Sequence, residues 1–226
     1  MSEKLLLLAV FVACMLLMAG NHRRKRKKIV FFGDSITSQG ARPGGYITRI
    51  IRLLKEADLE YNYELVGAGV DGNTVLDLYQ RLDNDILSKG ADIVVIFIGI
   101  NDVWHKLTGG GTDEKTFETG YEAVIRKLDA AAIKIILCTL TVIGEKFDYL
   151  NEQDADVEIY SKIVRNLAAK YNLPLVDLRK TFLNYNRTNN VENNEYGILT
   201  YDKVHLNNNG NQLVAEEIWK VLQQVK

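Results

Sequence analysis

The chain has 226 residues, 47% of them apolar and 25% charged, which suits one domain with a full core and is too short for two. Its formal net charge of −1 hides an asymmetry: residues 1–28 hold seven Lys/Arg and one Asp/Glu, and the rest carries 21 Lys/Arg against 28 Asp/Glu, a net charge of −7. An acidic body argues against nucleic-acid binding, which needs a basic face for phosphates, and only two cysteines, Cys14 and Cys138, argue against a disulfide framework or a cysteine-built zinc site.

The chain opens with an apolar run of 16 residues, Leu5 to Gly20, followed by the basic cluster His22 to Lys28. The run exceeds a minimal signal core and falls just short of the ~20 apolar residues of a spanning helix. Three readings stand: an uncleaved membrane anchor, a cleaved signal peptide, or a lipoprotein signal at Phe11-Val12-Ala13-Cys14. Membrane contact through residues 5–28 is therefore expected, with the protein either anchored or exported to the cell envelope. Under the positive-inside rule the cluster would hold the remainder on the cytoplasmic side. Residues 1–28 are set apart from the domain at 29–226.

From Lys28 onward, short apolar runs alternate with amphipathic stretches. Ile29–Phe32 reads as a strand, and Tyr46–Ala57 as a helix with Ile47, Ile50, Ile51 and Leu54 on one face. Tyr63–Val66 is a second strand. Thr74–Leu87 is a helix, with Val75, Leu78, Leu82 and Ile86 in step. Ile93–Ile98 is apolar throughout, so both its faces should be covered. Glu114–Ala131 is a helix, Ile133–Cys138 a strand, Asp154–Tyr171 a helix, Leu175–Asp177 a short strand and Asn209–Val225 a closing helix. This alternation implies an α/β fold around a parallel sheet, whose ligands gather beyond the carboxyl ends of the strands.

Three strands end in small polar or Gly-rich stretches: Gly33-Asp34-Ser35, Gly67-Ala68-Gly69-Val70-Asp71-Gly72, and Gly99-Ile100-Asn101-Asp102. A Ser at a strand-to-helix turn has an exposed hydroxyl beside free helix N–H groups, but it needs a base. It is equally the residue of an ordinary N-cap. Of the three histidines, His22 lies in the basic cluster, His105 follows the third strand, and His205 stands in Asp202-Lys203-Val204-His205 before the last helix. A carboxylate three residues before an imidazole can orient the ring and stabilise its protonated form.

Taken in order, these blocks resemble those of the SGNH hydrolases, also called GDSL esterases/lipases, over residues 29–226. The resemblance implies a three-layer α/β/α sandwich with a central parallel five-stranded sheet of flavodoxin-like kind. It implies a nucleophile at Ser35, a base at His205 and an orienting acid at Asp202. The backbone N–H groups of Ser35 and Gly72 and the side-chain amide of Asn101 would form the oxyanion hole. Asp34 and Asp102 read as structural. One departure is Gly67, where many members have Asn. Trp104, His105 and Ile143 are candidate pocket residues, the last within Val142-Ile143-Gly144-Glu145 after the fourth strand.

The activity so implied is metal-independent and cofactor-free hydrolysis of acetyl or other short acyl esters, of carbohydrates or small alcohols, through an acyl-enzyme. An O-acyltransferase would use the same triad. Gly67–Gly72 also matches a dinucleotide-binding pattern, but it follows the second strand rather than the first, and Asp92 begins a strand instead of ending one. A non-catalytic sugar-binding module would have no need of an activated Ser.

Overall fold

The computed structural model describes residues 25–225. The apolar run and the basic residues up to Arg24 lie outside them, and with them most of the expected anchor or signal. Among the described residues no helix is long and apolar enough to cross a membrane.

Five strands form one sheet: β1 (Lys27–Gly33), β2 (Tyr63–Gly69), β3 (Ile93–Phe97), β4 (Lys134–Cys138) and β5 (Leu175–Val176). All neighbours are parallel, in the order β2-β1-β3-β4-β5. Among the described residues eight α-helices surround it: α1 (Ser35–Gly40), α2 (Tyr46–Glu56), α3 (Val75–Leu82), α4 (Ile100–Trp104), α5 (Glu114–Ala130), α6 (Asp154–Tyr171), α7 (Leu178–Asn189) and α8 (Asn208–Leu222). The step from β1 to β2 runs opposite to every later step. Right-handed crossovers therefore place α2 on one face and α3, α5 and α6 on the other. The packing agrees: α2 lies against α8, α3 against α5, and α5 against α6. The result is the expected three-layer sandwich, with all of β3 buried between its two helical layers.

The reversal of strand order between β1 and β3 opens a crevice at their carboxyl ends, since the loops there leave in opposite directions. The glycines at this edge are dictated by contact. A Cβ on Gly33 would stand 2.2 Å from the Phe97 carbonyl, and one on Gly69 would stand 2.1 Å from the Ser38 backbone N. Only bare backbone lets α1 lie this tightly across β1 and β2. At Gly67 a Cβ would come 2.7 Å from that of Ala41, so a side chain there would push on the α1–α2 connection.

Several elements differ from the sequence expectation. Ile51 is 46% exposed, so the buried face of α2 is Tyr46, Ile47, Ile50 and Leu54. The predicted Thr74–Leu87 helix is α-helical only to Leu82 and continues as a π turn at Asp83–Leu87, while Val75, Leu78, Leu82 and Ile86 are buried as their spacing implies. β1 takes in Lys27 and Lys28, and the Lys28 N–H donates to Asp92 Oδ2 at 2.7 Å. Two helices, α4 and α7, were not foreseen, and α1 was foreseen only as a helix following the Ser35 turn, without bounds. α7 escaped because its buried side turns on Arg179 and Asn186 as well as Leu178 and Phe182, which breaks the apolar period.

Candidate active site

Ser35 is the first residue of α1, directly after β1. Asp34 caps this helix, its Oδ1 accepting from the Ile36 N–H at 2.9 Å. The turn is thus held by a carboxylate, and the Ser35 hydroxyl is left free for another partner. That partner is His205: Ser35 Oγ and His205 Nε2 lie 2.9 Å apart although 170 residues separate them in sequence.

Asp202 Oδ2 lies 2.7 Å from His205 Nδ1. Its Oδ1 accepts from the backbone N–H groups of Val204 at 3.1 Å and of His205 at 2.7 Å. Partial burial pushes the Asp202 carboxyl up, but the hydrogen bonds from the His205 backbone, the His205 ring and Val204 together hold it below the ordinary value. An ionised Asp202 fixes the tautomer with a proton on Nδ1 and leaves Nε2 open towards Ser35. The loop between them, Tyr201–His205, is closed by an antiparallel bridge between Thr200 and Leu206 and by the Tyr201 N–H bonded to the His205 carbonyl at 3.0 Å.

The expected oxyanion donors stand after β1, β2 and β3. Gly72 has φ +79°, a conformation that favours glycine, and no atom lies within 4 Å of a Cβ built there. Its glycine is explained by backbone conformation, while crowding plays no part. Asn101 is buried, and its Nδ2 donates to the Asn73 carbonyl at 2.9 Å. An amide nitrogen carries two N–H groups, so one remains for a ligand.

Two buried carboxylates underlie this edge. Asp102 accepts from Thr112 Oγ1 at 2.7 Å and from the Val75 N–H, which ties the start of α3 to α4. Burial pushes it up to about 6, and burial pushes Asp34 up to about 7, with the Asp102 charge adding to the latter. Both hold backbone or hydroxyl donors, in keeping with the structural roles expected of them.

Trp104 meets the His205 ring edge-on, with centroids 6.2 Å apart, so it borders the triad. His105 packs by its ring against Trp104 at 6.0 Å, one residue further from the site. Ile143 is buried, and its neighbour Gly144 donates its N–H to the Lys203 carbonyl at 2.8 Å.

Two residues at the site escaped sequence reasoning. Tyr201, 51% exposed, stacks on the His205 ring at 5.8 Å and 17°, and its hydroxyl donates to Gln39 Oε1 on α1 at 3.2 Å. Its position next to Asp202 was the available signal. Arg81, on α3, donates to the Gly33 carbonyl at 2.7 Å, the Ala68 carbonyl at 3.0 Å and Asn73 Oδ1 at 2.6 Å. It ties the ends of β1 and β2 to the residue that holds Asn101, and nothing in the local pattern marks it.

The dinucleotide reading fails on geometry. Gly67 and Gly69 lie inside β2, and α3 starts only at Val75, so the glycines do not turn directly into a helix that could hold a pyrophosphate.

Comparison with known proteins places the chain among ester hydrolases of this fold. The model of the GDSL-like lipase/acylhydrolase family matches residues 31–213. A curated acetylxylan esterase from Geobacillus stearothermophilus is 31% identical over 203 residues, covering 83% of this chain and 90% of that protein. Among solved structures, the acetyl xylan esterase AlAXEase is 54% identical with a TM-score of 0.84, covering 85% of this chain and 98% of that one. LAE5, an α/β hydrolase from the metagenome of Lake Arreo, Spain, is 26% identical with a TM-score of 0.76, covering 88% and 96%.

Proposed function

The chain belongs to the GDSL-like lipase/acylhydrolase family and is a carboxylic ester hydrolase, and from that premise we propose a serine esterase that removes acetyl groups from carbohydrates, acetylated xylan or its oligosaccharides foremost. The observation that carries the reading is the contiguous relay from Ser35 Oγ to His205 Nε2 at 2.9 Å and from His205 Nδ1 to Asp202 Oδ2 at 2.7 Å. The acetylxylan esterase relatives supply the substrate class.

The chemistry follows from these groups. Ser35 Oγ attacks the acetyl carbonyl carbon while His205 Nε2 takes its proton. Asp202 stabilises the imidazolium so formed. The oxyanion is met by the N–H groups of Ser35 and Gly72 and by the free N–H of Asn101 Nδ2, donors that gain strength only as charge develops. Collapse breaks the ester C–O bond, and the sugar hydroxyl leaves with the proton from His205. Water, deprotonated by His205, then attacks acetyl-Ser35; collapse breaks the C–Oγ bond, His205 returns the proton to Ser35 Oγ, and acetate is released.

The test is acetate release from acetylated xylooligosaccharides, beside a panel of nitrophenyl esters of increasing chain length. Rapid acetate release and a preference for the two-carbon ester are expected. A preference for long acyl chains would remove the substrate assignment.

Residues 5–28 are proposed to tether the domain to a lipid surface. β1 begins at Lys27, at the sheet edge opposite Ser35, so a tether there would leave the catalytic edge facing away from the bilayer. Flotation of the full-length protein with anionic vesicles, and its loss on deletion of residues 1–24, is the expected result; flotation of neither would refute the tether.

A further inference from the structure

The loop after β4 carries no member of the triad, yet it braces the segment that does. Glu145 is fully buried, and its carboxylate accepts three hydrogen bonds from consecutive backbone N–H groups: Ile198 at 2.7 Å, Leu199 at 2.6 Å and Thr200 at 2.6 Å. Thr200 is one side of the bridge to Leu206 that closes the Tyr201–His205 loop. A second brace comes from the adjacent residue: Gly144, at φ +91°, donates its N–H to the carbonyl of Lys203, which lies between Asp202 and His205. The backbone of Glu145 completes the frame, its N–H donating to the Glu195 carbonyl at 2.8 Å and its carbonyl accepting from Asn190 Nδ2 at 3.0 Å.

We infer that Glu145 is a positioning residue for catalysis: its buried carboxylate, by gathering the N–H groups of 198–200, sets where the Asp202–His205 loop stands relative to Ser35. The inference rests on the serine-esterase reading. Three neutral donors converging on one side chain call for two acceptor oxygens. An amide at 145 would offer one oxygen and turn an NH2 group towards an N–H. Buried donors left unpaired are costly, and the loop would shift to recover partners. A shift need not be large, since misplacement of a reacting group by about 1 Å costs on the order of 100-fold in rate. Glu145 touches neither Ser35 nor His205, so its effect should fall on turnover and leave binding of a small ester unchanged.

The experiment compares wild type, Ser35→Ala and Glu145→Gln on nitrophenyl acetate, with thermal melting to verify folding. Glu145→Gln should lose about 10- to 100-fold in kcat with KM changed by less than about twofold. The low-field proton resonance of the His205 Nδ1–H···Asp202 bond should shift or broaden in the folded variant, well below its melting temperature. A merely destabilising change would leave that resonance of the folded population where it is. An unchanged kcat, or a reduced kcat with an unchanged resonance, overturns the inference while Ser35→Ala remains inactive. Should Ser35→Ala retain turnover, it is the esterase reading itself that fails. Should Glu145→Gln not fold, amide exchange in the wild type decides: protection of Ile198, Leu199 and Thr200 comparable to β3 is expected, and open-loop exchange at these three overturns the inference.

Discussion

A hydroxyl becomes a useful nucleophile only when its neighbours take the proton and meet the charge, and in the proposed mechanism each of these tasks falls to one side chain or one N–H. The division can be tested at Asn101, whose amide holds the Asn73 carbonyl with one N–H and has the other to offer. Asn101→Ala is expected to lower kcat by about 10²–10³-fold, the usual cost of one oxyanion donor, with a smaller effect on KM. Steady-state kinetics on nitrophenyl acetate would check this; a change confined to KM would mean that Asn101 only shapes the pocket. At this scale much was legible. The roles of Ser35, Asp202 and His205 were implied by the resemblance of the ordered blocks to a known family, since each block alone left an ordinary structural reading open, and the structure places the three side chains in one hydrogen-bonded line. Tyr201 was not chosen, because stacking on His205 depends on how a five-residue loop closes, and period and motif do not encode that closure.

The elements of the fold are simple, and their joints decide the site. β1, β2 and β3 each deliver one donor-bearing turn to the same edge, and Arg81 on α3 fastens two of these strand ends to the Gly72-Asn73 turn. The guanidinium fork reaches three acceptors at once and pairs with Asp85 at 2.6 Å, a geometry that an ammonium cannot reproduce. Arg81→Lys should therefore destabilise the domain by about 1.5–3 kcal/mol, the range for hydrogen bonds to charged groups. It should also slow turnover by loosening Asn73 beneath Asn101. Melting and kinetics on the same preparation would check both, and an unchanged kcat would show that Arg81 serves the fold alone. The sheet and the long helices were readable because their apolar residues keep strand or helix period. α7 was not readable, because the partner of its buried Arg179 is Asp154, 25 residues earlier, and such a pairing belongs to tertiary structure.

For the whole molecule, burying Asp34 and Asp102 under the catalytic edge has a consequence in pH. Both carboxyls stand above the ordinary value of 3.8 in the folded chain, at about 7 and about 6, because burial disfavours their charge. The folded state therefore binds protons that the unfolded chain has released. Their contribution to stability is fully present below 3.8 and is lost as pH rises through about 6 to 7. Asp34→Asn keeps an oxygen to accept from Ile36 and removes the titration. Its melting temperature should fall less than that of the wild type between pH 5 and 8, and parallel curves would refute the assignment. The proposed chemistry depends on one hydroxyl, brought by the fold to an imidazole 170 residues away. The most direct measurement is labelling with a fluorophosphonate probe, followed by mapping of the modified peptide. A single adduct on Ser35 is expected, absent from a folded and inactive Ser35→Ala; an adduct on another residue, or turnover that survives the substitution, would show that the nucleophile lies elsewhere.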